Sequence, residues 1–197
     1  MQIQKEAIKQ RILEAALSDF YQYGYKGSSL RRIAKAASIA PGNIYSYFKN
    51  KDDLFYAVTG PTLELLSSFI NTAFKGRDIS QIDMNEISDH VVALFLNNTK
   101  TFWILMEKSD GSSIEQVKEE LTELIAYRLM VELVPVIVKD NEMNPLISKV
   151  LARACMEGLC EALKQFNGDE EELRNLVETF INIQFNGFRN QLKETLS

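Results

Sequence analysis

The sequence predicts an all-α fold of about nine helices, with an N-terminal helix-turn-helix head on a C-terminal helical body. Three observations carry this. Apolar residues recur at i, i+3, i+4, i+7 along almost the whole chain, and strand-like alternation appears nowhere. Capping and breaker residues fall at intervals that suit helix ends. Ser29 through Lys51 forms two short helical patterns around a tight turn, the outline of a DNA-reading helix-turn-helix.

The first helix is predicted over about 5–23, burying Ile8, Ile12, Ala15, Ala16 and Phe20, with Gly24 as its αL-tolerant stop. Tyr25-Lys26-Gly27 is the loop, and Ser28 or Ser29 is the N-cap of the second helix. That helix carries Leu30, Ile33, Ala34 and Ala37 on one stripe. Ser38-Ile39-Ala40 interrupts the stripe, and Pro41 restarts a helix that buries Ile44 and Phe48. Asn50 then caps a fourth helix, with Asp52 and Asp53 in its first turn. Gly60-Pro61 falls inside this helix, and a kink or break is expected there because proline removes one ladder bond.

Beyond Gly76, Asp83-x-x-Glu86 resembles a capping box for a helix with Ile87, Val91, Leu94 and Phe95. A separate short helix is expected over about 98–108. Asp110-Gly111 marks a turn, and Ser112-x-x-Glu115 a capping box for a long helix to about residue 139, kinked at Pro135. Asn144-Pro145 opens the next helix, and Asn167-Gly168-Asp169 stops it and caps the last one.

The 197 residues, 46% hydrophobic and 25% charged, have ordinary globular composition. No uninterrupted apolar run is long enough for a membrane span, and the amphipathic N-terminus lacks a signal peptide's apolar core, so a cytoplasmic location is expected. Cys155 and Cys160 lie five apart and point to different faces of one helix, which favours packing over a disulfide. His90 is the sole histidine, so no metal site is expected, and neither cofactor motif nor catalytic constellation is present.

Net charge is −5, which by itself argues against nucleic-acid binding. Divided at residue 51, it argues the opposite. Residues 1–51 hold nine Lys/Arg against three acids, a net of +6, leaving −11 on the rest. A basic head on an acidic body is the charge pattern of a DNA reader.

Arg11–Gly24 (RILEAALSDF-x₃-G), then SSLRRIAKAA, then Gly42–Phe55 (GNIYSYFKNKDDLF) together resemble the tetracycline-repressor (TetR) family over about the first 55 residues. The resemblance implies a homodimeric transcriptional regulator of a double-stranded DNA operator. A small-molecule effector would bind among the C-terminal helices and release the operator. The organisation implied is a head over 1–50 and a ligand-binding and dimerisation body over 51–197. Two positions depart from the family pattern. Ser38 stands where glycine is usual in the turn, at a cost of about 1 kcal/mol if the backbone is left-handed. Ala40 stands where Ser or Thr usually caps the third helix.

Phosphate contacts set affinity and register, and base-edge contacts set sequence. The phosphate candidates are Ser28, Ser29, Arg31, Tyr47 and Lys51. Arg32 and Lys35 are either further phosphate contacts or solvated helix charges. The base-reading candidates are Pro41, Gly42, Asn43, Tyr45 and Ser46; Asn43 can pair bidentately with adenine. Tyr45 has a second reading, with its ring in the head's core. In the body, Ala154, Gly158 and Ala162 form a smooth stripe that, with Phe180, Ile183 and Gly187, is expected either at a four-helix dimer interface or in intrachain packing. Phe69, Phe102, Trp103, Met106, Tyr127, Met130 and Met156 line an apolar effector cavity or form plain core. Gly60 and Pro61 are the expected hinge. The alternatives in function are an activator of the same family and an all-helical protein-interaction module.

Overall fold

The computed structural model describes residues 2–73, 75–76, 82–133 and 146–196, and among them every regular element is helical. Helix α1 spans Gln2–Gly27 and α2 spans Leu30–Ala36. A 3₁₀ helix follows at Pro41–Ser46. Helix α3 spans Lys51–Thr72, α4 Met84–Glu107 and α5 Val117–Arg128, which runs into a π-helical turn at Leu129–Leu133. Helices α6, Leu146–Lys164, and α7, Glu170–Leu196, complete the chain.

Two compact units share these helices: Met1–Leu65 with Asn98–Lys118, and Leu66–Asn97 with Glu119–Ser197. Neither coincides with the division expected at residue 50. The reason is visible in the core of the first unit. Ile12, Ala16, Phe20, Ile33, Ala34, Ala37, Ile44, Phe48, Leu54 and Phe55 are buried together, as their periodicity predicts, and Ile104 from the end of α4 is buried among them. Ile114 packs on the same cluster. Phe20 and Phe55 meet edge to face with centroids 4.9 Å apart, and Tyr25 meets Phe55 at 5.0 Å. Such pairs add about 0.5–1.5 kcal/mol beyond their buried area.

Several expected boundaries shift for identifiable reasons. Gly24 does interrupt α1, with φ 68° and ψ 171°, but helical backbone resumes to Gly27. The helix expected over Pro41–Phe48 is a six-residue 3₁₀ segment, with no side-chain cap at Ala40. Helix α3 continues past Gly60 and Pro61 as one helix, so the break that was one of the two expectations does not occur. Pro61 is exposed, and the Thr59 hydroxyl donates to the Phe55 carbonyl at 2.9 Å within the same stretch.

The backbone departs from helix at Asn98 instead, with φ −134° and ψ 23°. The segments expected as two helices, before and after 98, are thus one bent helix. The Thr62 hydroxyl binds at this bend, 2.7 Å from Thr101 Oγ1 and 3.2 Å from Asn98 Oδ1. Asp83 caps α4 through the Asn85 N–H at 2.9 Å.

Ser112 and Glu115 act as local turn partners: Ser112 Oγ accepts from the Ile114 N–H and the Glu115 carboxylate from the Gly111 N–H, and α5 begins only at Val117. Asp169 Oδ1 accepts the N–H groups of Glu171 and Glu172, each at 3.0 Å, and so caps α7 as its sequence predicts. Pro135 and Asn144-Pro145 lie outside the described residues.

In the second unit, α6 and α7 pack directly together. A Cβ added at Gly158 would stand 2.3 Å from Phe180 Cζ, so the absent side chain makes room for that ring. Gly158 and Phe180 thus pack against each other within the chain. Ala162 is buried within the chain, Ala154 is exposed, and Ile183 is 72% exposed. Gly187 lies in α7, outside the residues whose side-chain surroundings are described.

The expected cavity residues divide between the units. Phe102, Trp103 and Met106 belong to the first, where Phe102 and Met106 are buried and Phe102 meets Trp103 edge to face at 5.1 Å. Phe69, Tyr127, Met130 and Met156 belong to the second, with Met156 buried and Tyr127 and Met130 exposed. Cys155 and Cys160 are free thiols, and burial pushes Cys155 up to about 11. Among the described residues no helix is long and apolar enough to cross a membrane, and no cluster of His, Cys, Asp and Glu is able to hold a metal ion.

Candidate nucleic-acid interface

The turn between α2 and the 3₁₀ helix is built by a complete C-terminal capping motif. The Ser38 N–H donates to the Lys35 carbonyl at 3.1 Å and the Ile39 N–H to the Ala34 carbonyl at 3.0 Å. That pair of bonds is the Schellman arrangement, which requires a left-handed residue between helix end and exit. Ser38 occupies it with φ 56°, the sole positive φ among the described non-glycine residues. The strain expected from a serine at this position is therefore present. Ile39 completes the motif by packing onto the head's core.

This turn presents the 3₁₀ segment with Ile44 inward and Phe48, just beyond it, inward as well. Ile44 is fully buried and Phe48 nearly so. Pro41, Gly42, Asn43, Tyr45 and Ser46 are all exposed, so the five predicted base-reading residues share the accessible side of one segment. Tyr45 is 61% exposed, which settles its two readings in favour of the outer face. Tyr47 is the tyrosine that packs, half-buried against the core. No added atom at Gly42 would meet anything within 4 Å, so the backbone there is open to close approach.

The predicted phosphate contacts separate into committed and uncommitted groups. Arg32 is committed. Its guanidinium forms a two-pronged pair with the buried Asp19 carboxylate, donates to the Gly27 carbonyl at 3.0 Å and lies 3.8 Å over the Tyr23 ring. The Asp19 hydrogen bond holds Arg32 above its ordinary range. Asp19 also takes the Ser29 N–H at 3.1 Å, so it fixes the entry to α2 on two sides.

The Ser28 hydroxyl is turned inward and donates to the Tyr25 carbonyl at 2.7 Å. Lys51 is committed as well. Its ammonium donates to the Tyr25 carbonyl at 2.7 Å, lies 4.1 Å over the Tyr25 ring, and is pulled below the usual lysine range by burial. Ser28 and Lys51 thus brace the Tyr25 loop in this structure. Arg31 and Lys35 are exposed on α2 and enter no ion pair among the described residues.

Sequence reasoning missed the outer brace of this head. The Tyr25 N–H donates to the Lys108 carbonyl at 2.8 Å, and the Lys108 ammonium binds the Tyr21 carbonyl. The Asp52 carboxylate accepts the Ser113 N–H at 3.0 Å. Burial pushes Asp52 up, but the bonds from Ser113 and Tyr25 and the charge of Lys51 outweigh it, and the net shift is downward. Tyr25 is pushed up by burial and by Asp52. Nothing in the sequence pairs residues 21–25 with 108–113, because contacts across more than eighty positions leave no local period.

Residues 12–58 match the family model described as "Bacterial regulatory proteins, tetR family". Over these residues the chain is similar to that family. Its head is 49% identical over 47 residues to the uncharacterized HTH-type transcriptional regulator YhgD of Bacillus subtilis, covering 24% of this chain and 25% of that one. The chain therefore matches about a quarter of that relative's length. Among solved structures, the tetR-family regulator PfmR from Thermus thermophilus superposes with a TM-score of 0.67 over 89% of this chain and 97% of its own, at 18% identity. The regulator FadR from Bacillus subtilis, in complex with stearoyl-CoA, superposes with a TM-score of 0.62 over 91% and 98%, at 17% identity. The two superpositions show a shared fold that runs beyond the matched tetR-family head into the body.

Proposed function

We propose that the protein is a cytoplasmic transcriptional regulator that binds a pseudo-palindromic operator as a homodimer and is released from it, as a repressor, by a small, largely apolar molecule. The observation that carries this is the exposed face of Pro41, Gly42, Asn43, Tyr45 and Ser46, held rigid by buried Ile44 and Phe48 and flanked by the uncommitted cations Arg31 and Lys35. A helix-turn-helix reads the major groove with such a segment, and two-fold symmetry doubles the half-site. The similarity of fold to FadR, solved with stearoyl-CoA, supports an effector held in the body.

Asn43 is assigned to adenine through its paired donor and acceptor, and the Tyr45 edge and Pro41 ring to thymine methyls. No Arg or Lys lies between Pro41 and Phe48, so guanine readout falls to Arg31 or is absent. The test is titration of purified protein into DNA from its own upstream region, with and without excess unrelated duplex. A discrete shift that resists the competitor is expected. Binding that the competitor removes entirely would leave only nonspecific attraction.

A further inference from the structure

The second unit contains a polar cluster that the DNA-binding reading does not use. Arg128, at the last turn of α5, gives two N–H groups to Asn71 Oδ1, from Nε at 3.2 Å and Nη2 at 2.6 Å. Its Nη1 donates to Glu132 Oε1 at 2.9 Å. Asn71 is itself fixed, since its amide nitrogen donates to the Ser67 carbonyl at 2.9 Å. The second carboxylate oxygen, Glu132 Oε2, is buried and has no hydrogen-bond partner among the described residues. Buried polar atoms without partners are rare, and a carboxylate oxygen among the costliest, so each needs a physical reason.

A second observation falls on the same residue. Glu132 lies within the π-helical turn Leu129–Leu133, and such single-turn insertions in α-helices are frequent at functional sites. The guanidinium already balances the carboxylate's charge, so what Oε2 lacks is a donor. A ligand ending in an N–H or O–H group supplies one, whereas a ligand ending in a carboxylate sets oxygen against oxygen.

We propose that Glu132, oriented by Arg128 and Asn71, receives a hydrogen bond from the effector, which is a molecule with an amine, amide or hydroxyl donor on an apolar frame. This rests on the ligand-responsive reading above and narrows its effector class. The probes are 1-decanol, decylamine and decanoate, which share one chain length and differ in the terminal group, titrated calorimetrically into the full chain.

At least one of the two donors is expected to bind about tenfold tighter than decanoate. Glu132→Gln, which places an amide NH₂ where Oε2 stands, is expected to erase that preference by weakening the donors and tightening decanoate. If Glu132→Gln fails to fold by circular dichroism, Glu132→Asp decides, since withdrawing the carboxylate by one methylene lowers the same preference. Equal or tighter decanoate binding, no binding of either donor, or a preference untouched by the variants would overturn the proposal. Operator binding measured on the same preparations separates the two readings. Loss of donor selectivity with operator binding intact sinks this inference alone, and donor selectivity without operator binding sinks the regulator alone.

Discussion

Ser38 is the residue at which local chemistry and fold pull against each other. Its φ of 56° is imposed by the two capping bonds from residues 38 and 39, and serine adopts that conformation at a cost of about 1 kcal/mol. Ser38→Gly is expected to raise the head's stability by about that amount, read as a higher denaturation midpoint at unchanged slope. A lower midpoint would mean that the serine side chain contributes something the backbone geometry does not. Lys51 poses the complementary case. Its ammonium is used on the Tyr25 carbonyl and ring, so Lys51→Ala is expected to cost about 1–3 kcal/mol of stability, measured by denaturant titration. Arg31→Ala is expected to leave stability within about 0.5 kcal/mol and to reduce the salt slope of DNA binding by about one. Reversed effects at these two residues would exchange their assignments.

The elements show where local pattern stops being enough. Helices α1, α2, α3, α6 and α7 were legible because each buries a single periodic stripe and carries its own stop or cap, as Asp169 does for α7. The 3₁₀ segment was not, since Ile44 and Phe48 suit an α-helix as well, and only the missing cap at Ala40 hinted at a shorter turn. Helix α4 was divided wrongly because Asn98 reads as a breaker, while the Thr62 hydroxyl supports a bend there without ending the helix. Pro61 misled in the other direction, since α3 runs through it. Ile104 is the clearest consequence. It is fully buried in the head's core although it stands more than forty residues beyond α3's first turn. Ile104→Ala is expected to cost about 2–5 kcal/mol and to abolish DNA binding together with folding of the head. Unchanged stability would mean that residues 98–118 do not belong to that unit.

For the whole molecule, the same long-range contacts make the head pH-sensitive in a defined direction. The folded Asp52 carboxyl titrates below its ordinary value of 3.8, so its contribution is present above that value and is lost as pH falls through the folded pKa. Acid unfolding monitored by circular dichroism is expected to lose part of its steepness below about pH 4 in Asp52→Asn.

Effector release, if coupled by the typical 1–3 kcal/mol, needs only a small differential affinity between two arrangements of the helices. Gly60 and Pro61 stay candidates for that coupling because proline leaves one ladder bond unmade within an unbroken helix. Doubling the substitution, Gly60→Ala with Pro61→Ala, is expected to change operator affinity or effector response, and both at wild-type values would remove them. The operator itself was not legible, because base readout depends on groove geometry that no side chain in the protein specifies alone.

The most direct measurement is an in vitro binding-site selection from random duplex DNA, run in parallel with the wild-type chain and Asn43→Ala. The wild type is expected to enrich a pseudo-palindrome with half-sites about one helical turn apart, and Asn43→Ala the same motif with one base pair relaxed in each half. No enriched motif with the wild type, or one enriched identically by both proteins, would contradict the assignment of the Pro41–Ser46 face to base reading.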